Sequence, residues 1–495
     1  MSASLAALAA PFAIRGDAGV AIDDITEDSR QVSAGSLFVA VAGASDDGHR
    51  YIADAIARGA AAVAVERAEL APPDIPAVVV PSSRKALAVF ADRFHGSPGA
   101  SLDVVGFTGT FGKTTTSHVL QQLLNAAGHR TAVVGSLGAR FDGQAYELRG
   151  MTTPSPVVLH RALRRLKEAG AGTVVMEVTS HALMQDRVHG LRFRGGLIAA
   201  IRPGEHVDVH RTYEDYVAAK RLFLGYLEPG AILAYDADNR AAAMLARERD
   251  DVRDVGFSLR RTPIGGDAPE GERRQANMRD RRILSVSDAV LDDRGALLTI
   301  DGVQLRSALL GRANLQNVAL ALTFARQFGL RAEAAREALA TLTPLRRRME
   351  RYTIAGRTVL DDTAGHPESF DATFEVAGLL PAERAIVAYA LRGSRGADIN
   401  RRNALSLAEH VQTLGAFRTI VTEAAGTAGP LDQVTDEERR AARDAFRERG
   451  VDPVWHETMR AAMEDAASNS RPGDLIVLAG AQGMNAGRDE LARAL

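Results

Sequence analysis

Residues 104–116 read Val-Val-Gly-Phe-Thr-Gly-Thr-Phe-Gly-Lys-Thr-Thr-Thr, and this stretch decides the fold. A β-branched apolar run enters three glycines at three-residue spacing and continues through Gly-Lys-Thr into residues 117–124, which have helical periodicity. Glycines let successive backbone N–H groups point at one anion, and the positive end of the helix dipole favours the same anion. The stretch therefore predicts a strand, a phosphate-binding loop and a helix in an α/β domain.

Two side chains of this loop carry the expected chemistry. Lys113 is positioned to reach the β- and γ-phosphates of a nucleotide, and the hydroxyl of Thr114 is positioned to hold Mg²⁺. The strict Walker pattern fails because Phe107 stands five residues before the last glycine. The context still predicts binding of ATP or GTP, without saying what is done with the nucleotide. The other predicted nucleotide-binding residues of the loop are Gly109, Thr110, Gly112 and Thr115.

The composition sets the broad class of the protein. With 495 residues, the chain is too long for one hydrophobic core, so we expect two to four domains. A net charge of −2 gives no sign of a nucleic acid or a membrane surface as partner. The absence of cysteine excludes disulfides and Cys-zinc sites and fits a cytoplasmic protein. The apolar start, residues 1–13, lacks a basic n-region and predicts a first helix rather than a signal peptide.

Strand-like and helix-like segments alternate along the whole chain, which predicts the α/β class with mostly parallel sheets. Turn-rich residues 95–99 and the region around Pro344 divide it into three domains, 1–98, 99–343 and 344–495. Residues 260–282 are dense in Arg, Gly and acidic residues and predict an exposed loop rather than a basic recognition patch. The predicted strands are 36–41, 61–65, 104–108, 172–178, 196–201, 296–300, 385–390, 418–422 and 474–479, and the predicted helices include 51–58 and 313–328.

Further polar residues follow the predicted strands of the middle domain. Glu177 ends a buried apolar run, at the edge where open parallel sheets bind ligands. It could coordinate Mg²⁺ or position a nucleophile, and an ion pair or a helix N-cap is the alternative. His206 and His210 are four residues apart and could face one side of a helix and ligate a metal, although no Glu follows His206 as in zinc proteases. Lys220, taken alone, predicts a solvated helix lysine.

Taken in order, these motifs resemble the Mur ligase family, and most closely its MurE type, which adds the third peptide residue to a UDP-N-acetylmuramoyl dipeptide. The likeness runs nearly end to end. Residues 28–30, 36–40 and 47–49 look like the family's UDP-binding domain, and residues 311–317 and 348–351 look like its adenine- and phosphate-side motifs. The motifs between them are Thr-Gly-x-x-Gly-Lys-Thr-Thr, Thr-Thr-Pro, Met-Glu-Val-x-Ser-His-Ala-Leu, acid-His-x-Asp and Tyr-x-x-Ala-Lys.

The resemblance implies an ATP-dependent, ADP-forming ligase. Such an enzyme transfers the γ-phosphoryl group of ATP to a substrate carboxylate, and an incoming amine then displaces phosphate to form an amide. The implied architecture is an N-terminal UDP-substrate-binding α/β domain, a central P-loop ATPase domain and a C-terminal Rossmann-like domain that binds the amino acid. The implied cofactors are ATP and Mg²⁺, and the implied partners are a UDP-muramoyl peptide and an amino acid. A cytoplasmic monomer is expected, with no nucleic acid or membrane partner.

The resemblance also assigns roles to individual residues. It implies that Lys113 neutralises phosphate charge and that Thr114 and Glu177 hold Mg²⁺. It implies that Lys220 is carbamylated and, together with His206, helps hold a second Mg²⁺. The residues that match the positions for the UDP-sugar peptide are Ser29, Thr152, Thr153, Thr179, Gln185 and Arg187, and those that match positions on ATP are Asn314, Arg348 and Asp362.

Several positions depart from the family pattern. Phe111 stands where the family usually has Asn, Ala200-Ile201 where it has Thr-Asn, and Glu205 where it has Asp. In the third domain, Thr363-Ala364-Gly365 replaces Tyr-Ala-His. Residues 423–426, Glu-Ala-Ala-Gly, replace Asp-Asn-Pro-Arg, and residues 481–484, Ala-Gln-Gly-Met, replace Lys-Gly-His-Glu. Because Arg forks are the usual solution for gripping a carboxylate, these losses argue against meso-diaminopimelate and leave lysine, ornithine or another amine as acceptor.

Three functions stay open on the sequence. The chain is an active ligase on a UDP-muramoyl peptide, a ligase acting on another carboxylate, or a pseudo-ligase that binds nucleotide without turnover. The retention of Lys113, Thr114, Glu177, His206 and Lys220 favours an enzyme. A kinase or GTPase is the weakest alternative, because it gives no role to Lys220 or to the UDP-like N-terminal domain.

Overall fold

The computed structural model describes residues 1–43, 46–148, 151–203, 209–259, 282–300, 303–429 and 432–495. The chain divides into two units, the first made of residues 1–285 and 317–335 and the second of residues 286–316 and 336–495. Of the predicted loop at residues 260–282, only Arg282 is described, and it begins a strand. In the described parts of the chain, no helix is both long enough and apolar enough to cross a membrane.

The amino-terminal part of the first unit contains a five-stranded sheet in the order β2-β7-β6-β5-β4, parallel except for β2. The predicted first helix is confirmed as the short α1, whose N-cap Ser4 accepts a hydrogen bond from the backbone N–H of Ala7. The strands here are β1 Ala3–Ser4, β2 Ala13–Arg15, β3 Ala21–Ile22, β4 Asp24–Thr26, β5 Ser36–Val39, β6 Ala60–Val65 and β7 Ala77–Val79, and the helices are α1 Leu5–Ala9, α2 Ile52–Ala57 and α3 Ser83–Phe94.

The rest of the first unit is built on a larger sheet in the order β11-β10-β9-β12-β8-β13-β14-β15, to which residues 282–285 add in parallel. All pairs from β9 to β15 are parallel. The strands are β8 Asp103–Thr108, β9 Thr131–Gly135, β10 Gly138–Phe141, β11 Gln144–Tyr146, β12 Thr173–Glu177, β13 Phe193–Ile198, β14 Leu227–Asp236 and β15 Arg253–Ser258. The helices are α4 Lys113–Ala126, α5 Pro156–Glu168, α6 Ser180–Met184, α7 Tyr213–Arg221 and α8 Arg240–Ala246.

The centre of this sheet positions the site. Strands β8 and β12 are buried along almost their whole length, and Glu177 is in register with Phe107. Because parallel strands end at the same edge, the phosphate loop and Glu177 come together there. Strand β13 lies three residues earlier than the predicted strand 196–201. Its pairing stops at Ile198, opposite Thr108, because β8 turns into the phosphate loop at that point.

The second unit contains a six-stranded sheet in the order β19-β20-β24-β21-β22-β23, parallel except for β19. An antiparallel meander of β16, β17 and β18 precedes it. The strands are β16 Arg282–Asp292, β17 Gly295–Ile300, β18 Val303–Ser307, β19 Glu350–Ile354, β20 Arg357–Asp362, β21 Ala385–Ala390, β22 Arg418–Ala425, β23 Val454–Thr458 and β24 Leu475–Ala479. The helices are α9 Gly311–Gln327, α10 Ala332–Ala340, α11 Pro367–Leu379, α12 Ala397–Leu414, α13 Asp436–Glu448, α14 Met459–Asn469 and α15 Gly487–Ala494; α9 and α10 each contribute residues to both units.

Candidate active site

The phosphate loop follows β8 and leads directly into α4. Lys113 Nζ donates hydrogen bonds to the carbonyl oxygens of Gly109 and Thr110, at 3.0 and 2.9 Å. Gly112 has a φ of +78°, and a Cβ at this position would lie 2.1 Å from Asn317 Oδ1. Both the backbone conformation and the close approach therefore require glycine. The loop is closed by its own lysine and by an asparagine of α9.

Asn317 is a loop contact that the sequence reasoning did not single out. Its Oδ1 accepts a hydrogen bond from Thr116 Oγ1 at 3.1 Å, next to Gly112. The residue predicted from the same motif, Asn314, donates its Nδ2 to the carbonyl oxygen of Leu310 at 3.0 Å. Both asparagines lie in the motif at residues 311–317, one helical turn apart, so the motif was the available signal.

Glu177 ends β12 with a buried carboxylate, and the residue is 1% exposed. Its Oε2 accepts hydrogen bonds from Thr114 Oγ1 at 3.1 Å and Ser136 Oγ at 3.2 Å, and its Oε1 accepts one from Ser136 N at 3.0 Å. Burial raises the pKa of Glu177, and the positive charge of Lys113 acts in the opposite direction. A Cβ at Gly135 would lie 2.1 Å from Oε1. The carboxylate is thus fixed in one orientation.

The donors around Glu177 suit Mg²⁺. A carboxylate and the hydroxyl of Thr114 are hard oxygen ligands, which this ion prefers. Because neutral hydroxyl and amide groups hold the buried carboxylate, a bound cation would balance its charge. Within the described ranges, no group of three or more His, Asp and Glu side chains forms a ready metal cage. A magnesium ion here would rely on substrate phosphates for its remaining ligands.

Ser136 is the second contact that the sequence reasoning missed. It follows β9 at the same sheet edge, and its Oγ lies 3.2 Å from Glu177 Oε2 and 3.0 Å from Thr152 Oγ1. The structure therefore places one predicted substrate residue, Thr152, one hydroxyl away from the predicted metal carboxylate. The available signal was a small polar residue immediately after an apolar strand.

Four more of the predicted substrate residues form a chain of hydrogen bonds that begins at the backbone of Glu177. Thr153 Oγ1 donates to the carbonyl oxygen of Glu177 at 2.9 Å and accepts from the backbone N–H of Thr179 at 3.1 Å. Arg187 donates to the carbonyl oxygen of Thr153 at 2.8 Å and to Gln185 Oε1 at 3.0 Å. Burial lowers the pKa of Arg187. The guanidinium of Arg187 is half-buried near the carboxyl end of β12, and such a group suits an anionic part of a substrate.

Lys220 is buried rather than solvated, with 1% of the residue exposed. Its Nζ donates to the carbonyl oxygen of Gly109 at 3.0 Å and lies 3.5 Å from Thr108 Oγ1. The same nitrogen lies 4.6 Å from the centre of the Tyr216 ring. The structure therefore brings the amine of Lys220 to the phosphate loop, close to where a nucleotide would bind.

The two candidate histidines do not form the predicted helical pair. His206 lies outside the described residues. His210 precedes α7, which begins at Tyr213, so the prediction of a shared helix face is wrong. The Nε2 atom of His210 lies 3.0 Å from Ser180 Oγ, and its ring centre is 5.0 Å from that of Tyr216. His210 therefore packs against the residues around Lys220 from a loop.

Ser29 lies in a separate cavity of about 710 Å³ in the first unit. The cavity lining includes the first turn of α5, whose backbone N–H groups attract phosphate oxygens. Its carboxylates can accept hydrogen bonds from sugar hydroxyls, as acidic residues do for ribose. One of them, Asp28, accepts two bonds from Arg30 at 2.8 and 2.9 Å, which lowers the pKa of Asp28 to about 2. The acidic residues of the lining are Asp24, Glu27, Asp28, Asp46 and Asp54.

In the second unit, Asp362 ends β20 and is buried. Its Oδ1 accepts from the backbone N–H of Met349 at 3.0 Å, and its Oδ2 accepts from Thr373 Oγ1 at 2.7 Å. Burial raises the pKa of Asp362. Arg348 donates to Thr363 Oγ1 at the same edge. The structure therefore brings two of the predicted ATP residues, Arg348 and Asp362, to the carboxyl end of one strand.

Residues 423–426, where the resemblance leads us to expect Asp-Asn-Pro-Arg, begin with a residue in an internal ion pair. Glu423, in β22, accepts two hydrogen bonds from the guanidinium of Arg439, one of them at 2.7 Å. At the end of β21, Arg392 Nε donates to Asp432 Oδ1 at 2.8 Å. Both guanidinium groups are therefore engaged by carboxylates of the chain itself.

Known protein families and structures are similar to this chain over nearly its whole length. Family models match at residues 21–95 (Mur ligase family, catalytic domain), 107–325 (Mur ligase middle domain) and 347–482 (Mur ligase, glutamate ligase domain). The UDP-N-acetylmuramoyl-L-alanyl-D-glutamate–2,6-diaminopimelate ligase of Chlorobium phaeobacteroides is 33% identical over 467 residues, which cover 92% of this chain and 86% of that protein.

Two solved structures show the same fold. A UDP-N-acetylmuramoyl-L-alanyl-D-glutamate–2,6-diaminopimelate ligase superposes with a TM-score of 0.66 at 20% identity, over 100% of this chain and 99% of that one. The MurF ligase from Thermotoga maritima in complex with ADP superposes with a TM-score of 0.63 at 19% identity, over 95% of this chain and 97% of that one. The predicted α/β architecture is confirmed.

Proposed function

The chain belongs to the Mur ligase family, and we propose that it joins an amino acid to the peptide carboxylate of UDP-N-acetylmuramoyl-L-alanyl-D-glutamate as ATP is converted to ADP and phosphate. The observation that carries this proposal is the cluster of Lys113, Thr114 and Glu177 beside Thr153 and Arg187. Phosphoryl transfer requires charge neutralisation and positioning, and this cluster supplies both next to a carboxylate-binding guanidinium.

The site residues have separate roles in the proposed reaction. Lys113 and the N–H groups at the start of α4 bind the phosphates. Thr114 and Glu177 would hold Mg²⁺, which neutralises charge on the transferred phosphoryl group. The substrate carboxylate oxygen forms a bond to the γ-phosphorus as the bond to ADP breaks. The uncharged amine then forms a bond to the acyl carbon and loses one proton to solvent, and phosphate leaves with the electron pair of the broken C–O bond.

The cavity around Ser29 supports a nucleotide sugar as the carrier of the carboxylate. It combines hydroxyl-accepting carboxylates with a helix amino terminus that can face a diphosphate. We propose that residues 1–98 bind the UDP moiety, that residues 99–343 bind ATP, and that residues 344–495 bind the amino acid. In the third segment, we assign Arg348 and Asp362 to ATP, together with Asn314 from the second segment.

We also propose that Lys220 is carbamylated and, with His206, holds a second Mg²⁺. The uncharged amine of Lys220 would attack CO₂, form an N–C bond and lose one proton, which converts a cation into an anionic oxygen ligand. Burial of the side chain against the phosphate loop supports this assignment, because a carbamate there would be shielded from water. Growth or incubation with ¹³C-bicarbonate should give one carbamate resonance that is absent in Lys220→Ala, and its absence in the parent protein would refute the assignment.

For the acceptor, we propose an amino acid without a second carboxylate, such as lysine or ornithine. The named relative acts on 2,6-diaminopimelate. In this chain, residues 423–426 stand where the resemblance leads us to expect Asp-Asn-Pro-Arg. They lack an arginine, and Glu423 is paired with Arg439. A competition assay with equal lysine, ornithine and meso-diaminopimelate should therefore give little diaminopimelate product, and preferential use of diaminopimelate would overturn this acceptor assignment.

One assay tests the reaction itself. The protein is incubated with ATP, Mg²⁺, UDP-N-acetylmuramoyl-L-Ala-D-Glu and an amino acid mixture, and the new amide and ADP are sought by mass spectrometry. Lys113→Ala should reduce product at least about a hundredfold, because it removes the cation that faces the phosphates. Lys167→Ala, at an exposed position on α5, is the matched control. Nucleotide binding without any product would favour a ligase for another carboxylate or a protein without turnover.

A further inference from the structure

Ser136 lies between the candidate metal carboxylate and the candidate substrate threonine. Its backbone N–H donates to Glu177 Oε1 at 3.0 Å, and its Oγ lies 3.2 Å from Glu177 Oε2 and 3.0 Å from Thr152 Oγ1. One residue therefore contacts both oxygens of the carboxylate and the hydroxyl of the threonine. None of the roles assigned above uses this residue.

The number of protons fixes the direction of these bonds. A serine hydroxyl has one proton, and an ionised carboxylate can only accept. With Glu177 ionised, as a metal ligand must be, the proton of Ser136 goes to Glu177, and the 3.0 Å contact then requires Thr152 to donate to Ser136. The hydroxyl proton of Thr152 is thus used inside the protein. What Thr152 offers to a ligand is a pair of acceptor sites.

The neighbouring Thr153 uses its hydroxyl only for bonds within the protein. Thr153 Oγ1 donates to the carbonyl oxygen of Glu177 at 2.9 Å and accepts from the backbone N–H of Thr179 at 3.1 Å. Thr153 is also 0% exposed, whereas Thr152 is half-buried. The structure therefore separates the two adjacent threonines: the Thr153 hydroxyl is fully buried between backbone groups, and the Thr152 side chain stays partly exposed.

We propose that Ser136 is a positioning residue that holds Glu177 for Mg²⁺ and turns Thr152 into a hydrogen-bond acceptor for a substrate N–H group. The inference rests on the proposed function for the identity of the substrate, and it names the alanyl–glutamyl amide as the donor. A carboxylate or phosphate oxygen of the substrate has no proton to give Thr152 and must bind elsewhere, as at Arg187.

Binding measurements test the Ser136 link without turnover. Ser136→Ala should weaken binding of UDP-N-acetylmuramoyl-L-Ala-D-Glu in EDTA, and should raise the Mg²⁺ concentration needed for ADP binding, each about fivefold to tenfold. Ser136→Thr keeps the hydroxyl and should restore both. The matched control is Ser97→Ala, which removes a comparable hydroxyl–carboxylate bond, 2.8 Å to Asp92, outside the site. Parent-like values for Ser136→Ala in both measurements would overturn the proposal.

A double variant separates a link through Thr152 from general damage. If Ser136 acts on the substrate through Thr152, Ser136→Ala combined with Thr152→Val should weaken substrate binding no more than the stronger single variant. Multiplied effects would show independent roles and refute the link. If the parent protein does not bind the UDP dipeptide, the proposed substrate is wrong, and the Mg²⁺–ADP measurement still decides the role of Ser136 toward Glu177.

A substrate analogue tests the direction of the hydrogen bond. An ester oxygen in place of the alanyl–glutamyl N–H removes the donor that Thr152 should accept. The parent protein should bind this ester about tenfold more weakly than the amide. The Thr152→Val variant should bind both alike. Equal affinity of the parent protein for ester and amide would refute the acceptor role of Thr152.

Discussion

Glu177 and Asp361 lie at the carboxyl ends of parallel strands in the two units, and their charges are balanced in different ways. Both carboxylates are buried, and burial raises the pKa of both, to about 6 for Asp361. Glu177 accepts from the hydroxyls of Thr114 and Ser136 and from one backbone N–H. Asp361 accepts from the guanidinium of Arg347 at 3.0 Å. These hydrogen bonds to Glu177 come from neutral donors, with the charge of Lys113 acting on its carboxylate as well, whereas Asp361 is hydrogen-bonded directly by a cation of the chain.

This difference suggests that Glu177 serves the proposed reaction and that the Asp361–Arg347 pair serves the stability of the fold. Arg347 also donates to the carbonyl oxygen of Ala481 at 2.8 Å and to Asn485 Oδ1 at 2.6 Å, so the ion pair joins β20 to the segment after β24. A carboxylate paired in this way has little affinity left for another cation. Under the proposed function, Glu177 keeps its negative charge for Mg²⁺. Substitutions at the two positions should therefore affect different properties of the protein.

The largest effect is expected from Glu177→Gln. The variant keeps the size of the side chain and removes the negative charge, so turnover should fall by about a hundredfold to a thousandfold. The free energy of unfolding should change little, because the hydrogen bonds to the side chain come from neutral donors that an amide can also engage. Product formation measured by mass spectrometry, together with urea unfolding, checks both parts.

Glu168→Gln is the matched control for this variant. Its carboxylate accepts from Arg164 at 2.7 Å in an exposed pair one helical turn away. We expect parent-like turnover and stability there. If Glu177→Gln kept more than about a tenth of the activity, the charge of Glu177 would not be essential, and the contrast with Asp361 would fail.

The second effect is expected from Asp361→Asn, on stability. Removing one partner of a buried ion pair leaves the Arg347 guanidinium uncompensated, which should lower the free energy of unfolding by about 3 kcal/mol. Urea unfolding measures this change, and binding of Mg²⁺–ADP should stay like the parent. Asp489→Asn breaks the exposed pair with Arg346 and should cost less than about 1 kcal/mol. Equal losses in the two variants would contradict the role assigned to burial.

The residues around Glu177 could be predicted from the sequence better than those around Asp361. Glycine spacing and an acid at a strand end are local signals, so Lys113, Thr114 and Glu177 could be selected directly. Ser136 and Asn317 contact the site across 41 and 201 residues of sequence, so the local signals at these two positions could not show which partners they meet. The burial of Lys220 was equally hidden, because a helix lysine is normally solvated.

On the Asp361 side, sequence could not select the decisive arginine. Residues 346–348 are three consecutive arginines, and the resemblance pointed to Arg348. The buried member is Arg347, which has a φ of +60° and contacts Asp361. Which arginine turns inward depends on a backbone conformation and on β20, neither of which residue identity reveals. The antiparallel β19 and the order of the sheet likewise follow from packing rather than from local pattern.

The third effect is expected from Gly135→Ala, which tests how tightly Glu177 is held. The Cβ would lie 2.1 Å from Glu177 Oε1, so the carboxylate must move, and turnover should fall about tenfold to a hundredfold. Gly172→Ala is the matched control, because no atom lies within 4 Å of its Cβ. Parent-like activity of Gly135→Ala would show that the carboxylate tolerates displacement and would weaken the case for a fixed metal ligand.

The smallest effect concerns His95, a buried side chain with no ion-pair partner among the described residues. In the described structure, neither of its ring nitrogens has a hydrogen-bond partner, and burial lowers its pKa to about 4. The unfolded chain binds a proton near the ordinary pKa of about 6.5, so the free energy of unfolding should fall as the pH drops from about 6.5 to 4. Urea unfolding at several pH values should show a shallower fall for His95→Gln than for the parent protein. Identical slopes would mean that His95 binds its proton at the same pH in the folded and the unfolded chain, so that burial does not disfavour its charged form.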